Sequence, residues 1–203
     1  MGRPVLTDEQ VEDFRARACE VAMQLFVDEG YEGFTLRALA KELGCSHATP
    51  YRYFAGKPGI FAAVRAQGFV RFGSFLRQRL EGETVPIERV RILARAYFDF
   101  SVEQAAAFTI IFEMGQPLPD EPETSREAGR DAWSVLYGVI AEAVDAGALE
   151  GEVNELAHTM WAGIHGVATL HLASKLAMGR DAEAMLTSMT DALIRAHQPR
   201  GKS

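Results

Sequence analysis

Cysteine is nearly absent from this 203-residue chain: Cys19 and Cys45 are the only two, too few for a disulfide scaffold. Long apolar runs are missing as well. The longest, Ala105 to Phe112 with Thr109 inside it, is far short of the ~20 residues that a membrane span needs. No apolar core near the start resembles a secretory signal, and Leu6 stands where myristoylation at Gly2 would require Ser or Thr. The expected setting is therefore the cytoplasm, with no membrane partner. Alternating apolar and polar residues of the kind that make strands are also lacking. Basic residues are in deficit, 21 Lys and Arg against 28 Asp and Glu, a net charge of −7. Averaged over the chain, that balance argues against nucleic acid as a partner. Hydrophobic residues at 48 % and charged ones at 24 % exclude a disordered chain.

What is present is helical periodicity. Thr7 and Gln10 form a T-x-x-Q capping box, and Gly30 is placed to stop the helix that follows. Inside it Val11, Phe14, Ala18, Val21, Ala22, Leu25 and Phe26 trace one apolar stripe, and Cys19 falls beside it as core filling. Thr35 is the expected N-cap of a short helix carrying Leu36, Leu39, Ala40 and Leu43, ended by Gly44. Ser46 is the expected cap of the next, running through Tyr53. Two short helices joined by Gly44-Cys45-Ser46 make a helix-turn-helix pattern. Further helices are expected from Gly56-Lys57-Pro58 to about Leu80, from Ile87 to about Ala105, over Ser125–Ala146, Glu152–Met178 and Asp181–His197, with a short apolar piece at Phe108–Met114. Gly115 to Glu123 holds three of the eight prolines and reads as a loop. The fold class is all-α, about nine helices.

The acidic total conceals a segregation. Residues 33–80 carry Arg37, Lys41, Arg52, Lys57, Arg65, Arg71, Arg77 and Arg79 against Glu42 alone, a net of +7. Residues 1–32 carry −5 and residues 81–203 carry −9. The positive window coincides with the helix-turn-helix pattern, the combination that a duplex-binding head requires.

The run Thr35-Leu36-Arg37-Ala38-Leu39-Ala40-Lys41-Glu42-Leu43-Gly44-Cys45-Ser46-His47-Ala48-Thr49-Pro50-Tyr51-Arg52-Tyr53-Phe54, followed by Lys57, resembles the DNA-binding segment of the TetR family of transcriptional regulators. Further on, Trp161-Ala162-Gly163-Ile164-His165-Gly166 resembles the Trp…His-Gly signature of one ligand-binding branch of that family. The resemblance implies that the second motif helix enters the major groove, with His47 and Ala48 facing base edges and Arg37 reaching in from the preceding helix. It implies Thr35, Thr49, Tyr51 and Lys57 as phosphate ligands, with Arg52 serving either role. One of Tyr51 and Tyr53 is expected to pack instead. The chain departs from the pattern at Ala48, often Gly in the family, and at Pro50, usually Leu, Ile or Val. Pro50 lacks an N–H and crowds the Ser46 carbonyl, so a distorted first turn is expected, with Thr49 pushed from helical geometry.

Aromatic and methionine side chains are concentrated in the C-terminal body. Phe98, Phe112, Trp133, Tyr137, Trp161 and His165 are the candidate ligand contacts for a small apolar or amphipathic effector, and the competing reading is a solid core. Metal chemistry is not expected: His158, His165 and His171 are seven and six residues apart, rises of about 10 and 9 Å along a helix. No cofactor is implied. The family pairs its last two helices with those of a second copy, here about 152–178 and 181–197, and Gly163, Gly166, Ala168 and Ala173 would allow close approach. The expected organisation is a DNA-binding part, 1–56, and a ligand-binding and dimerisation part, 57–203. The expected function is a homodimeric regulator of transcription, a repressor of a near-palindromic operator released by its effector, with an activator as alternative. An all-helical enzyme is the rival from another class; the sequence offers it no nucleophile–base pair, paired carboxylates or phosphate loop.

Overall fold

The computed structural model describes residues 7–114, 122–176 and 179–199. Among them there are eight α-helices, one 3-10 turn and one π-helical turn, and no strand. The helices are α1 (Asp8–Gly33), α2 (Leu36–Glu42), α3 (Gly56–Leu80), α4 (Pro86–Glu103), α5 (Ala105–Phe108), α6 (Glu123–Asp145), α7 (Val153–Leu172) and α8 (Ala182–His197). The 3-10 turn is Pro50–Arg52 and the π turn Thr109–Glu113. Most of the loop expected over 115–123 lies outside the described residues.

Local chemistry sets most of these ends. At α1 the Gln10 N–H donates to Thr7 Oγ1 at 3.3 Å and the Thr7 N–H to Gln10 Oε1 at 3.0 Å, a complete capping box. Gly30 leaves helical geometry at φ 71° and Phe34 closes the turn onto its carbonyl. Thr35 caps α2 through the Ala38 N–H at 3.1 Å. Gly44, at φ 64°, ends α2 in a Schellman motif in which Cys45 N–H bonds the Ala40 carbonyl and Gly44 N–H that of Lys41. The same motif corrects the expected length of α7. The helix ends at Leu172, not Met178, because Ser174 takes the left-handed conformation at φ 54° and Lys175 N–H bonds the Leu170 carbonyl.

The chain folds as two compact units. The first comprises α1, α2, the 3-10 turn and α3 to residue 70, together with residues of 106–129 that include the π turn. Its core is aromatic: Phe26 stacks on Phe34 at 3.9 Å between centroids and meets the edge of Phe61 at 4.8 Å. Ala18, Ala22, Leu39 and Ile60 are fully buried around them. The π turn packs against α3 so closely that a Cβ on Gly68 would lie 2.7 Å from Ile111 Cγ2.

The second unit comprises residues 71–105 and the described part of 130–203. Here α4 lies against α7 and α8, and Leu76, Leu93, Tyr97, Phe100, Ala143, Ile164 and Ala168 are fully buried. Arginines tie its rim: Arg89 to Glu142 at 2.8 Å, Arg91 to Asp191 at 3.1 Å, and Arg95 to both Asp99 at 2.7 Å and Glu183 at 2.9 Å.

Candidate nucleic-acid interface and aromatic cluster

The segment after α2 corrects one expectation. The helix expected over Ser46 to Tyr53 is reduced to the single 3-10 turn Pro50–Arg52. Pro50 has no N–H to give the Ser46 carbonyl, so Thr49 N–H takes that acceptor at 2.9 Å. Shorter i→i−3 bonds continue, Arg52 N–H to Thr49 and Tyr53 N–H to Pro50. Thr49 itself stays helical, at φ −64° and ψ −49°, where its position before proline favours extended geometry. Its hydroxyl lies 2.9 Å from Ser46 Oγ, so Ser46 holds Thr49 through hydroxyl and carbonyl together.

Around this turn the sequence-predicted residues have different fates. Arg37, His47, Ala48 and Arg52 are exposed, Thr49 is half-buried, and Tyr51 is 62 % exposed. Tyr53 is the tyrosine that packs, its ring 4.3 Å from Phe14. Thr35 spends its hydroxyl on the α2 cap. Lys57 is drawn to the end of α1: Nζ donates to the Glu32 carbonyl at 3.1 Å, lies 3.8 Å from the Glu32 carboxylate and sits over the Tyr31 ring at 4.5 Å. Cys45 is half-buried and Cys19 buried.

Tertiary structure also redistributes the positive window. Arg77 pairs with Asp131 at 2.6 Å, Arg79 with Asp99 and Glu103, and Arg65 reaches the Ile111 carbonyl and the Phe69 ring. Arg37, Lys41 and Arg52 keep no ion-pair partner among the described residues, and all three belong to the helix-turn-helix. Lys41 is absent from the sequence-based site, although its charge lies in the +7 window.

In the second unit α4, α6 and α7 bring together an aromatic cluster. His158, Trp161 and His165 follow one another on one face of α7, and Trp133 of α6 lies 4.5 Å from His158 and 5.8 Å from Trp161. At its centre the Tyr97 hydroxyl receives the Trp161 indole N–H at 3.0 Å and lies 3.0 Å from His165 Nδ1. Indole only donates, so the phenol oxygen is the acceptor in that bond. Burial pushes the Tyr97 phenol up, well above its ordinary value, against the smaller opposing effect of the Trp161 bond. Trp133, Trp161 and His165 are thus brought together, and Tyr97, missing from the sequence-based set, joins them. Phe98, next in α4, faces elsewhere, toward His171 at 5.2 Å. Tyr137 is 38 % exposed, and Phe112 belongs to the first unit, against Phe69 and Phe108. An open cleft of about 470 Å³, lined in part by Arg77, Leu80, Arg89, Val139 and Glu142, holds none of the six candidate ligand residues.

The small residues of α7 divide as well. Ala168 is fully buried within its own unit, and Met189 of α8 occupies the space at Gly163, where a Cβ would meet Sδ at 2.6 Å. A Cβ at Gly166 would meet nothing within 4 Å, and Ala162, Leu170, Ala173 and Met185 are exposed.

Residues 19–64 match the family model of bacterial regulatory proteins of the tetR family, and residues 90–193 that of the tetracyclin repressor-like C-terminal domain. The HTH-type transcriptional activator FasR of Mycolicibacterium smegmatis is 29 % identical over 99 residues, 49 % of this chain and 45 % of the activator. The chain thus spans less than half the length of that relative. The HTH-type transcriptional regulator HbdR of Aromatoleum is 25 % identical over 154 residues, 75 % of this chain and 67 % of that one. Among solved structures, a Rhodococcus protein of unknown function superposes with a TM-score of 0.81 at 26 % identity, covering 91 % of this chain and 95 % of that one. The fatty acid degradation regulator FadR of Bacillus halodurans has the same fold, with a TM-score of 0.74 at 16 % identity over 94 % and 97 % of the two chains. No helix among the described residues is long and apolar enough to cross a membrane. With a helix-turn-helix in its first unit and both family models matched, the chain belongs to the TetR family of helix-turn-helix transcriptional regulators.

Proposed function

We propose that this regulator is a cytoplasmic homodimeric repressor that binds a near-palindromic operator and leaves it when a small apolar or amphipathic effector binds the body. The observation that carries the reading is the set of exposed cations Arg37, Lys41 and Arg52 beside exposed Tyr51 on the helix-turn-helix. Arg37, His47, Ala48 and Arg52 are the candidates for base edges, and Thr35, Thr49, Tyr51 and Lys57 for phosphates. The second copy docks on the exposed side of α7 and α8, where Gly166, Leu170, Ala173 and Met185 leave an apolar face. Two-fold symmetry then presents two reading heads to two half-sites. The DNA-binding part is 1–56 and the ligand-binding and dimerisation part 57–203. The effector is met by Trp133, Trp161 and His165 around Tyr97. Phe98, Phe112 and Tyr137 are left with packing or surface roles. Release requires only that the effector favour one head spacing by about 1–3 kcal/mol.

The test is a gel shift on the duplex upstream of the chain's own coding sequence, repeated across salt and with Tyr51→Ala and Lys57→Ala. Binding that ignores both substitutions and salt, or no binding to any duplex, would refute the reading. A second reading, activation, is favoured by the name of the Mycolicibacterium relative, an activator. Transcription from a reporter carrying the bound duplex separates the two by its sign.

A further inference from the structure

We propose that Arg15, in the acidic N-terminal stretch of the chain, is a positioning residue for DNA recognition. It acts by clamping the 3-10 turn that stands where a recognition helix is expected. The inference rests on the reading of residues 46–52 as the segment that meets the bases. An α-helix entering the major groove carries its own rigidity, because each turn is held by i→i−4 bonds. This segment has lost most of that support. Pro50 removes the bond to Ser46, and what remains is a single turn of i→i−3 bonds, intrinsically weaker geometry, closed by one i→i−4 bond from the Phe54 N–H to the Pro50 carbonyl at 3.0 Å. Its orientation must be imposed from outside.

Arg15 supplies the constraint from α1. Its Nη1–H donates to the Tyr53 carbonyl at 2.7 Å, at the residue that ends the 3-10 turn, and its guanidinium lies over the Phe54 ring at 5.1 Å. Phe14, its neighbour, packs on the Tyr53 ring at 4.3 Å. A charge-assisted bond to a carbonyl that lies at the end of a turn is short, directional and half-buried here, so it fixes the exit of the turn and hence the direction of Tyr51 and Arg52. With its guanidinium so engaged, Arg15 acts on specificity through the turn and makes no phosphate contact of its own.

The experiment compares wild type, Arg15→Met and Arg15→Lys on two duplexes: one recovered by the wild-type protein from a randomised pool, and a scrambled duplex of equal length. Arg15→Met is expected to lose about tenfold or more on the selected duplex and less than about twofold on the scrambled one, with the salt slope of binding unchanged. Arg15→Lys, which keeps a donor, is expected to recover part of the discrimination. Amide hydrogen exchange of the free, folded protein is expected to rise over residues 50–56 in Arg15→Met and to stay unchanged in α2. Equal loss on both duplexes with a salt slope lower by about 1 would make Arg15 a phosphate contact and overturn the proposal. Unchanged discrimination, or unchanged exchange over 50–56, would overturn it too. Failure of the wild type to recover any duplex would sink the underlying reading of 46–52. The exchange measurement would still show whether Arg15 holds the turn.

Discussion

The Trp161 indole N–H donates to the hydroxyl of Tyr97 at 3.0 Å, joining α7 to α4 through a phenol with no exposed surface. A buried hydroxyl that accepts from an indole and reaches a second ring nitrogen is costly to remove, because its partners lose their bonds without regaining water. Tyr97→Phe is therefore expected to destabilise the second unit by about 1–3 kcal/mol. Urea unfolding at neutral pH reads the difference; no loss would mean that water replaces the hydroxyl.

The same phenol makes stability depend on pH. In the unfolded chain it ionises near 10.0, whereas burial keeps it protonated in the fold. Above that pH the unfolded state binds fewer protons, so the contribution is complete below about pH 10 and is lost as pH rises, by up to about 1.4 kcal/mol per unit. The stability gap between wild type and Tyr97→Phe should shrink between about pH 9 and 11. A gap that stays constant would contradict the assignment.

Two glycines should respond to alanine with opposite sign. At Gly68 the added methyl would lie 2.7 Å from Ile111 Cγ2, inside a well-packed contact, and a loss of about 1–3 kcal/mol is expected. At Gly138, within α6, nothing stands within 4 Å, and the gain in helix propensity should stabilise by about 0.5–1 kcal/mol. Denaturant midpoints of the two variants decide the matter, and equal shifts would refute the packing argument.

Tyr51 and Lys57 should separate binding from stability. Tyr51 is 62 % exposed, so Tyr51→Ala is expected to leave stability within about 0.5 kcal/mol while lowering affinity for the selected duplex several-fold. Lys57 holds the Glu32 carbonyl and the Tyr31 ring, so Lys57→Ala should lower affinity and also cost up to about 1 kcal/mol of stability. Thermal unfolding beside the gel shift reads both.

Pro50→Val restores an amide where the family usually has Leu, Ile or Val. The Ser46 carbonyl, now bonded by Thr49, then has an i→i−4 donor available, and the turn is expected to lengthen toward an α-helix. Exchange protection of the new amide is the readout. An amide that exchanges as freely as the neighbouring loop would show that the surroundings, not the proline, dictate the turn.

Much of the fold was legible because its signals act within four or five residues. The Thr7–Gln10 box, the Thr35 cap and the left-handed glycines at 30 and 44 are chemistry of adjacent residues, and each does locally what its side chain permits. Pro50 announced a disturbed turn, though not its extent. The end of α7 was not legible, since a serine in left-handed geometry leaves no mark in sequence. The surroundings of the ligand candidates were not legible for a related reason: Tyr97 and Phe98 are adjacent in α4 yet face different neighbours, and only the placement of α6 and α7 shows which one joins the aromatic cluster.

The sequence by itself determined the helical class, the family and the place where positive charge accumulates, because periodicity, caps and residue runs are properties of a single chain. Tertiary structure decided which of those charges remain available. Arg77 and Arg79 are taken by acids of α6 and α4. Arg37, Lys41 and Arg52 stay exposed. It also placed Arg15, counted with the acidic end of the chain, against the 3-10 turn Pro50–Arg52. Ion pairs and clamps join residues distant in sequence, so their partners are fixed only when the helices pack.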